Sequence, residues 1–141
     1  MNKCQLTNEQ KQKITDILRA NGAVVGYLFG SYARGTAGLL SDIDIGVAFP
    51  KVFRIIEQEN KVENIRARLE DIFGRDKVDI ENVPMIRNPL LRYIITLGEG
   101  EILFCDDLSV KNYLANLARR EYEDTVYLRN IQRQALSGLF A

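Results

Sequence analysis

Asp42 and Asp44 lie one residue apart in the run Ser41-Asp42-Ile43-Asp44-Ile45-Gly46-Val47. On a strand, residues two apart share a face. The two carboxylates are therefore predicted to project together while Ile43 and Ile45 turn to the other side. Paired ionised carboxylates repel each other unless a cation sits between them. Magnesium suits such a pair, because it takes one or two carboxylates and completes its shell with water and phosphate oxygens. Upstream stands Gly30-Ser31-Tyr32-Ala33-Arg34-Gly35, with ten residues between Ser31 and Asp42. A glycine-serine turn that opens a helix offers backbone N–H groups to an anion, and Gly30 lets the backbone come close where a side chain would block it. Ser31 adds a hydroxyl. Arg34, one helical turn on, either braces a triphosphate through its guanidinium or pairs with a nearby acid. Tyr32 reads as packing. A phosphate cradle beside metal-binding carboxylates is the chemistry of nucleotide handling.

The rest of the composition narrows how protons move. The 141 residues contain no histidine, which removes the commonest general base and the commonest zinc ligand. Proton transfer falls to Asp, Glu, Lys or Tyr. Nineteen basic residues balance nineteen acidic ones, so no strong general attraction to nucleic acid is implied. The two cysteines, Cys4 and Cys105, have no metal-ligand spacing and read as reduced thiols. The amino terminus is polar and no apolar run reaches the length of a membrane span, so the cytoplasm is the expected compartment.

Positioning these residues requires strands and helices in alternation. Thr7 to Gln10 fits a capping box and opens a first helix with Ile14, Ile17 and Leu18 facing inward; Asn21-Gly22 ends it. Val24 to Phe29 reads as a strand that runs into a short helix at Gly30-Ser31. Asp42 to Phe49 is a second strand stopped by Pro50. Val52 to Phe73 is helical, with a broken stripe of Ile55, Ile56, Val62, Ile65, Leu69, Ile72 and Phe73, and Gly74 closes it. Lys77 to Glu81 alternates as a third strand. Asn88-Pro89 starts a helix, Gly98 to Gly100 ends it, and Glu101 to Cys105 is a fourth strand. From about Ser109 to Leu139 the pattern is one long helix or a broken pair. Val110, Tyr113, Leu114, Leu117, Ala118, Tyr122 and Val126 share a stripe, and Leu128, Ile131, Ala135 and Leu136 drift off it. So long a helix cannot bury everything against a small domain, and part of its surface is expected to meet another chain. The class is α/β: one domain over residues 1–141, its core about 7–105 a small mixed sheet flanked by helices, with a C-terminal helical segment at about 109–139.

Gly30-Ser31, ten residues, then Asp42-Ile43-Asp44 resembles the signature of the DNA polymerase beta-like nucleotidyltransferase superfamily, and the fuller run resembles its minimal nucleotidyltransferase branch. The likeness extends from Val24 to Cys105. The tail around Arg119-Arg120-Glu121-Tyr122 is similar to the last helix of antitoxins in HEPN/minimal-nucleotidyltransferase pairs. The resemblance implies a third carboxylate on a later strand. Asp79 in Lys77-Val78-Asp79-Ile80 is the candidate, and Glu81, on the same face, is its rival. It further implies that Asp42 and Asp44 hold two magnesium ions, that Asp79 joins one of them and takes the acceptor's proton, and that ATP is the donor. The acceptor implied by the antitoxin likeness is a tyrosine of a HEPN ribonuclease toxin, bound as a heteromeric partner through the C-terminal helix and silenced by AMP. A non-catalytic antitoxin that caps the toxin, and a transferase acting on a small molecule or an RNA end, are the alternatives. No acceptor-holding module is visible, which favours an acceptor with its own binding surface.

Overall fold

Thr7 sets the start of the first helix. Its side chain accepts from the Gln10 backbone N–H at 3.0 Å while Gln10 Oε1 accepts the Thr7 N–H at 2.8 Å, so two otherwise unpaired donors are satisfied reciprocally. The computed structural model describes residues 4–140, apart from the side chains of Tyr127 and of residues 135–140. From that cap the chain runs α1 (Asn8–Ala20), β1 (Val25–Phe29), α2 (Ser31–Arg34), β2 (Ile43–Ala48), α3 (Ile55–Phe73), β3 (Val78–Asn82), a single 3-10 turn (Val83–Met85), α4 (Pro89–Thr96), β4 (Glu101–Cys105) and α5 (Leu108–Phe140).

The strands form one mixed sheet in the order β3-β2-β1-β4. β1 pairs antiparallel with β2 and with β4, and β2 pairs parallel with β3. Alternation then sorts the side chains. Leu28, Ile43, Ile45, Val47, Val78 and Ile80 face α1 and α3, where Ile14, Leu18, Ile65 and Leu69 are fully enclosed. Val25, Tyr27, Phe29 and Ala48 face the other way, onto Ile95 of α4 and Leu114 of α5. Each such aliphatic side chain contributes roughly 1.5–3 kcal/mol by leaving water. Gly46 lies on this second face. A Cβ there would stand 3.0 Å from Val83 Cγ2 and 3.2 Å from Ile95 Cγ2, so α4 packs directly on the backbone.

Tyr27 is 1% exposed, and its hydroxyl has no hydrogen-bond partner among the described residues. Burial pushes that phenol up to about 12. A buried unpaired hydroxyl is a net cost. Tyr27→Phe is therefore expected to stabilise the protein by ~1 kcal/mol, read as a higher urea midpoint with an unchanged slope; a lower midpoint would mean that the hydroxyl is satisfied in solution.

The structure refines the sequence reading in two places and adds one element to it. α3 starts at Ile55, not Val52, because the Phe53 N–H turns back to the Pro50 carbonyl at 3.2 Å and Arg54 becomes the cap residue. Of its stripe only Ile65 and Leu69 are buried, while Ile55, Ile56 and Ile72 are exposed. The 3-10 turn after β3 was not anticipated; Pro84 within it has no N–H to continue a ladder.

The tail is one helix. It is fastened by Leu114 and Ala118, both fully buried, by stacking of Tyr122 on Tyr93 with ring centroids 4.3 Å apart, and by an ion pair between Glu121 and Arg92. Arg92 is itself buried and also donates to the carbonyls of Val83, Pro84 and Ile86, tying α4 and α5 to the turn that follows β3. Beyond Ala118 no described side chain of α5 is buried, and Leu128 and Ile131 are exposed. The expectation for Ala135 and Leu136 falls outside the described side chains.

Candidate active site

The antiparallel β1–β2 pairing brings the two halves of the sequence motif together. Phe29 is opposite Asp44, so the turn that follows β1 lies beside the carboxylate that opens β2. Gly30 has φ +73° and ψ −155°, a conformation essentially confined to glycine. A Cβ on Gly30 would collide with Oδ2 of Asp44 and stand 3.0 Å from its Cγ. The Gly30 carbonyl accepts the N–H groups of Ala33 and Arg34, each at 3.1 Å, which starts α2. Ser31 is the first residue of that turn, where backbone N–H groups have no intrahelical acceptor. Gly35, with φ +76°, closes it in the left-handed region.

The parallel β2–β3 register places Asp79 directly opposite Asp44. Neighbours in register share a face, so Asp44, Asp79 and, two residues on, Glu81 project to the same side of the sheet. Asp42 lies just ahead of β2, exposed, and Asp44 is half-buried. Burial, followed by the charges of Asp79 and Asp42, pushes the Asp44 carboxyl up to about 6, with Arg34 pulling the other way and Glu81 adding to the rise. Burial and Asp79 likewise raise Glu81, which Arg66 counteracts.

Among the described residues none of Asp42, Asp44 and Asp79 is ion-paired with a lysine or arginine. Among the described residues, too, no three acidic or cysteine side chains form a ready-made ion-binding cluster. Oxygen donors only, with uncompensated negative charge, fit a hard divalent cation such as magnesium.

Arg34 lies close enough to Asp44 to influence it, but its Nη1 is bonded to Glu99 Oε1 at 2.9 Å and Oε2 at 3.1 Å. Of the two roles open to Arg34 in the sequence, the structure shows the pair with an acid. Glu99 had no signal, since 65 residues separate the partners. Tyr32 packs against the α1/α3 side of the core, as expected.

Residues 12–109 match the model of the family described as polymerase beta, nucleotidyltransferase. The chain belongs to that family. A Methanocaldococcus jannaschii protein provisionally named a protein adenylyltransferase is 35% identical to this nucleotidyltransferase over 85 residues, 60% of this chain and 85% of the relative. Among solved structures, a chain of a toxin–antitoxin crystal structure with AMP-PNP superposes with a TM-score of 0.64 at 22% identity, covering 93% of this chain and 98% of that one. A chain of the complex between a tri-AMPylated Shewanella oneidensis HEPN toxin and an MNT antitoxin gives 0.58 at 20% identity, over 93% and 96% of the two chains. At these identities the likeness establishes the nucleotidyltransferase fold. No described helix is long and apolar enough to cross a membrane.

Proposed function

We propose that the chain is an antitoxin that works as a protein adenylyltransferase, moving AMP from ATP to a tyrosine hydroxyl of a HEPN ribonuclease toxin and so silencing it. The observation that supports the reading is the Gly30–Ser31 turn beside Asp44, with Asp79 in register opposite Asp44 and Asp42 close enough to raise the Asp44 carboxyl. Membership of the nucleotidyltransferase family and the name of the 35% identical relative support the reaction class. The toxin–antitoxin neighbours support the choice of partner.

In this reading Asp42 and Asp44 hold two magnesium ions, and Asp79 is a ligand of one. When bound, the ions offset the charge of the triphosphate and ease ionisation of the attacking hydroxyl. The Ser31 hydroxyl and N–H hold an oxygen of the outer phosphates, and Gly30 admits them. Arg34 exchanges Glu99 for the triphosphate, a change that costs little at a half-exposed ion pair. Asp79 receives the tyrosine proton. The tyrosine oxygen bonds to the α-phosphorus as the bond to the bridging oxygen of pyrophosphate breaks, and pyrophosphate leaves with that electron pair. The whole chain, residues 1–141, acts as one minimal domain in the cytoplasm, and the α5 surface around Leu128 and Ile131, which no core residue covers, docks the toxin.

Incubation with α-labelled ATP, Mg2+ and the purified HEPN partner is expected to place label on a toxin tyrosine, and Asp42→Ala to abolish it while the two proteins still co-purify. Undiminished labelling by Asp42→Ala would remove the metal role from this carboxylate. The exposed far half of α5 also favours a second reading, in which binding alone neutralises the toxin. That reading predicts that an Asp42→Ala/Asp44→Ala variant still protects cells, whereas the catalytic reading predicts loss of protection.

A further inference from the structure

The geometry points to the groove along the free edge of β3 as the seat of the acceptor, a polypeptide segment with a basic residue beside its reactive hydroxyl. The inference rests on the protein-acceptor reading above and deepens it. Across the sheet the site has a fixed sequence: the Gly30–Ser31 turn at the end of β1, Asp44 on β2, Asp79 on β3, and then the sheet edge. In phosphoryl and nucleotidyl transfer the entering and leaving oxygens stand roughly in line on opposite sides of phosphorus. With the leaving pyrophosphate at Ser31, the entering hydroxyl must arrive from the far side of the carboxylates, over Asp79 and the β3 edge.

A groove of about 470 Å³ opens at that edge, between α3 and the 3-10 turn, with Glu81, the next outward residue after Asp79, in its wall. Two more acids, Glu59 and Glu63, enter it from α3, and no lysine or arginine lines it. Arg66, 3.5 Å from Glu63, compensates part of this charge. The same walls carry two exposed apolar side chains, Ile55 at 56% and Met85 at 47%.

This chemistry selects among acceptors. An RNA end brings a negative charge with every nucleotide and would face three carboxylates with no lysine or arginine in the groove wall to neutralise it. A small cationic alcohol would satisfy the acids but leave Ile55 and Met85 in water. A polypeptide satisfies both, with an arginine or lysine against Glu59 and Glu63 and an apolar neighbour over Ile55 and Met85. Complementary charge of this kind steers association more than it accelerates the chemical step.

The test compares wild type with Glu59→Lys/Glu63→Lys, two surface substitutions outside the catalytic set, using purified HEPN protein and α-labelled ATP. The expected result is a KM for the HEPN protein raised about tenfold or more, a KM for ATP within about twofold of wild type, and recovery when the basic residue nearest the labelled tyrosine is changed to glutamate. Unchanged acceptor kinetics in the double variant, while wild type labels normally, would overturn the groove and leave the transferase reading standing. Absence of label on the HEPN protein with wild type would overturn both. Label on an RNA end, or on a small cationic alcohol in preference to protein, would overturn the polypeptide assignment.

Discussion

Asp44→Asn is expected to lower nucleotidyl transfer by at least about 10³-fold, equivalent to ~4 kcal/mol of transition-state stabilisation, and at the same time to make the metal-free protein more stable. The two effects share one cause. Asp44 is half-buried beside Asp79 and Asp42, and its carboxyl is pushed up to about 6 from an ordinary 3.8. A raised carboxylate penalises the folded state when ionised. The penalty is absent below pH 3.8, where the group is protonated in both states. It grows as pH rises from there to about 6, and it is complete above. Asparagine keeps the shape and removes the charge. Because much of the group is solvent-screened, the gain at pH 7.5 is on the order of 1 kcal/mol, or about 4 °C in a domain of this size. The check is a pair of melting curves with chelator. The variant should melt higher at pH 7.5, and the gap should close as pH falls toward 4. Added Mg2+ should stabilise wild type and leave the variant nearly unmoved. Equal melting temperatures at pH 7.5 would mean that Asp44 is not held among like charges.

What could be read from the sequence was what lies close along the chain or repeats with a fixed period. The Thr7–Gln10 box and the Asn88 cap with Pro89 behind it are local geometry, and the structure has both. Gly30-Ser31 and Asp42-Ile43-Asp44 could be joined because one turn and one loop connect adjacent antiparallel strands. The strand around Asp79 was readable from the alternation of Val78 and Ile80, and the family resemblance singled out its carboxylate, but its position opposite Asp44 depends on a parallel register between strands more than thirty residues apart, which no local pattern encodes. For the same reason nothing announced Glu99 beneath Arg34, the Arg92–Glu121 clamp across α4 and α5, or the acidic groove, whose walls come from α3, β3 and the turn after it. The broken stripe of α3 marked a helix but not which of its apolar residues meet the core. Ile65 and Leu69 are enclosed and Val62 and Phe73 pack against the core, whereas Ile55, Ile56 and Ile72 are exposed.

Gly30→Ala is expected to damage both fold and activity, because two separate demands fall on one residue. Its φ of +73° with ψ of −155° is costly for any side chain, roughly 1–3 kcal/mol. The new methyl would also be driven into Oδ2 of Asp44, so either the turn or the carboxylate must move. In the proposed reading, moving the turn would displace Ser31 from the phosphates, and moving the carboxylate would displace a metal ligand. Misplacement of reacting groups by about 1 Å is worth about 10²-fold, so activity should fall by at least that factor, with a loss of ~2–3 kcal/mol in stability. The two demands separate in a double variant. Adding Asp44→Ala to Gly30→Ala removes the collision but not the backbone strain, so it should restore part of the stability and none of the activity. Strict additivity of the two stability changes would show that the methyl never meets Asp44, and near-normal activity of Gly30→Ala alone would show that phosphates do not approach this turn.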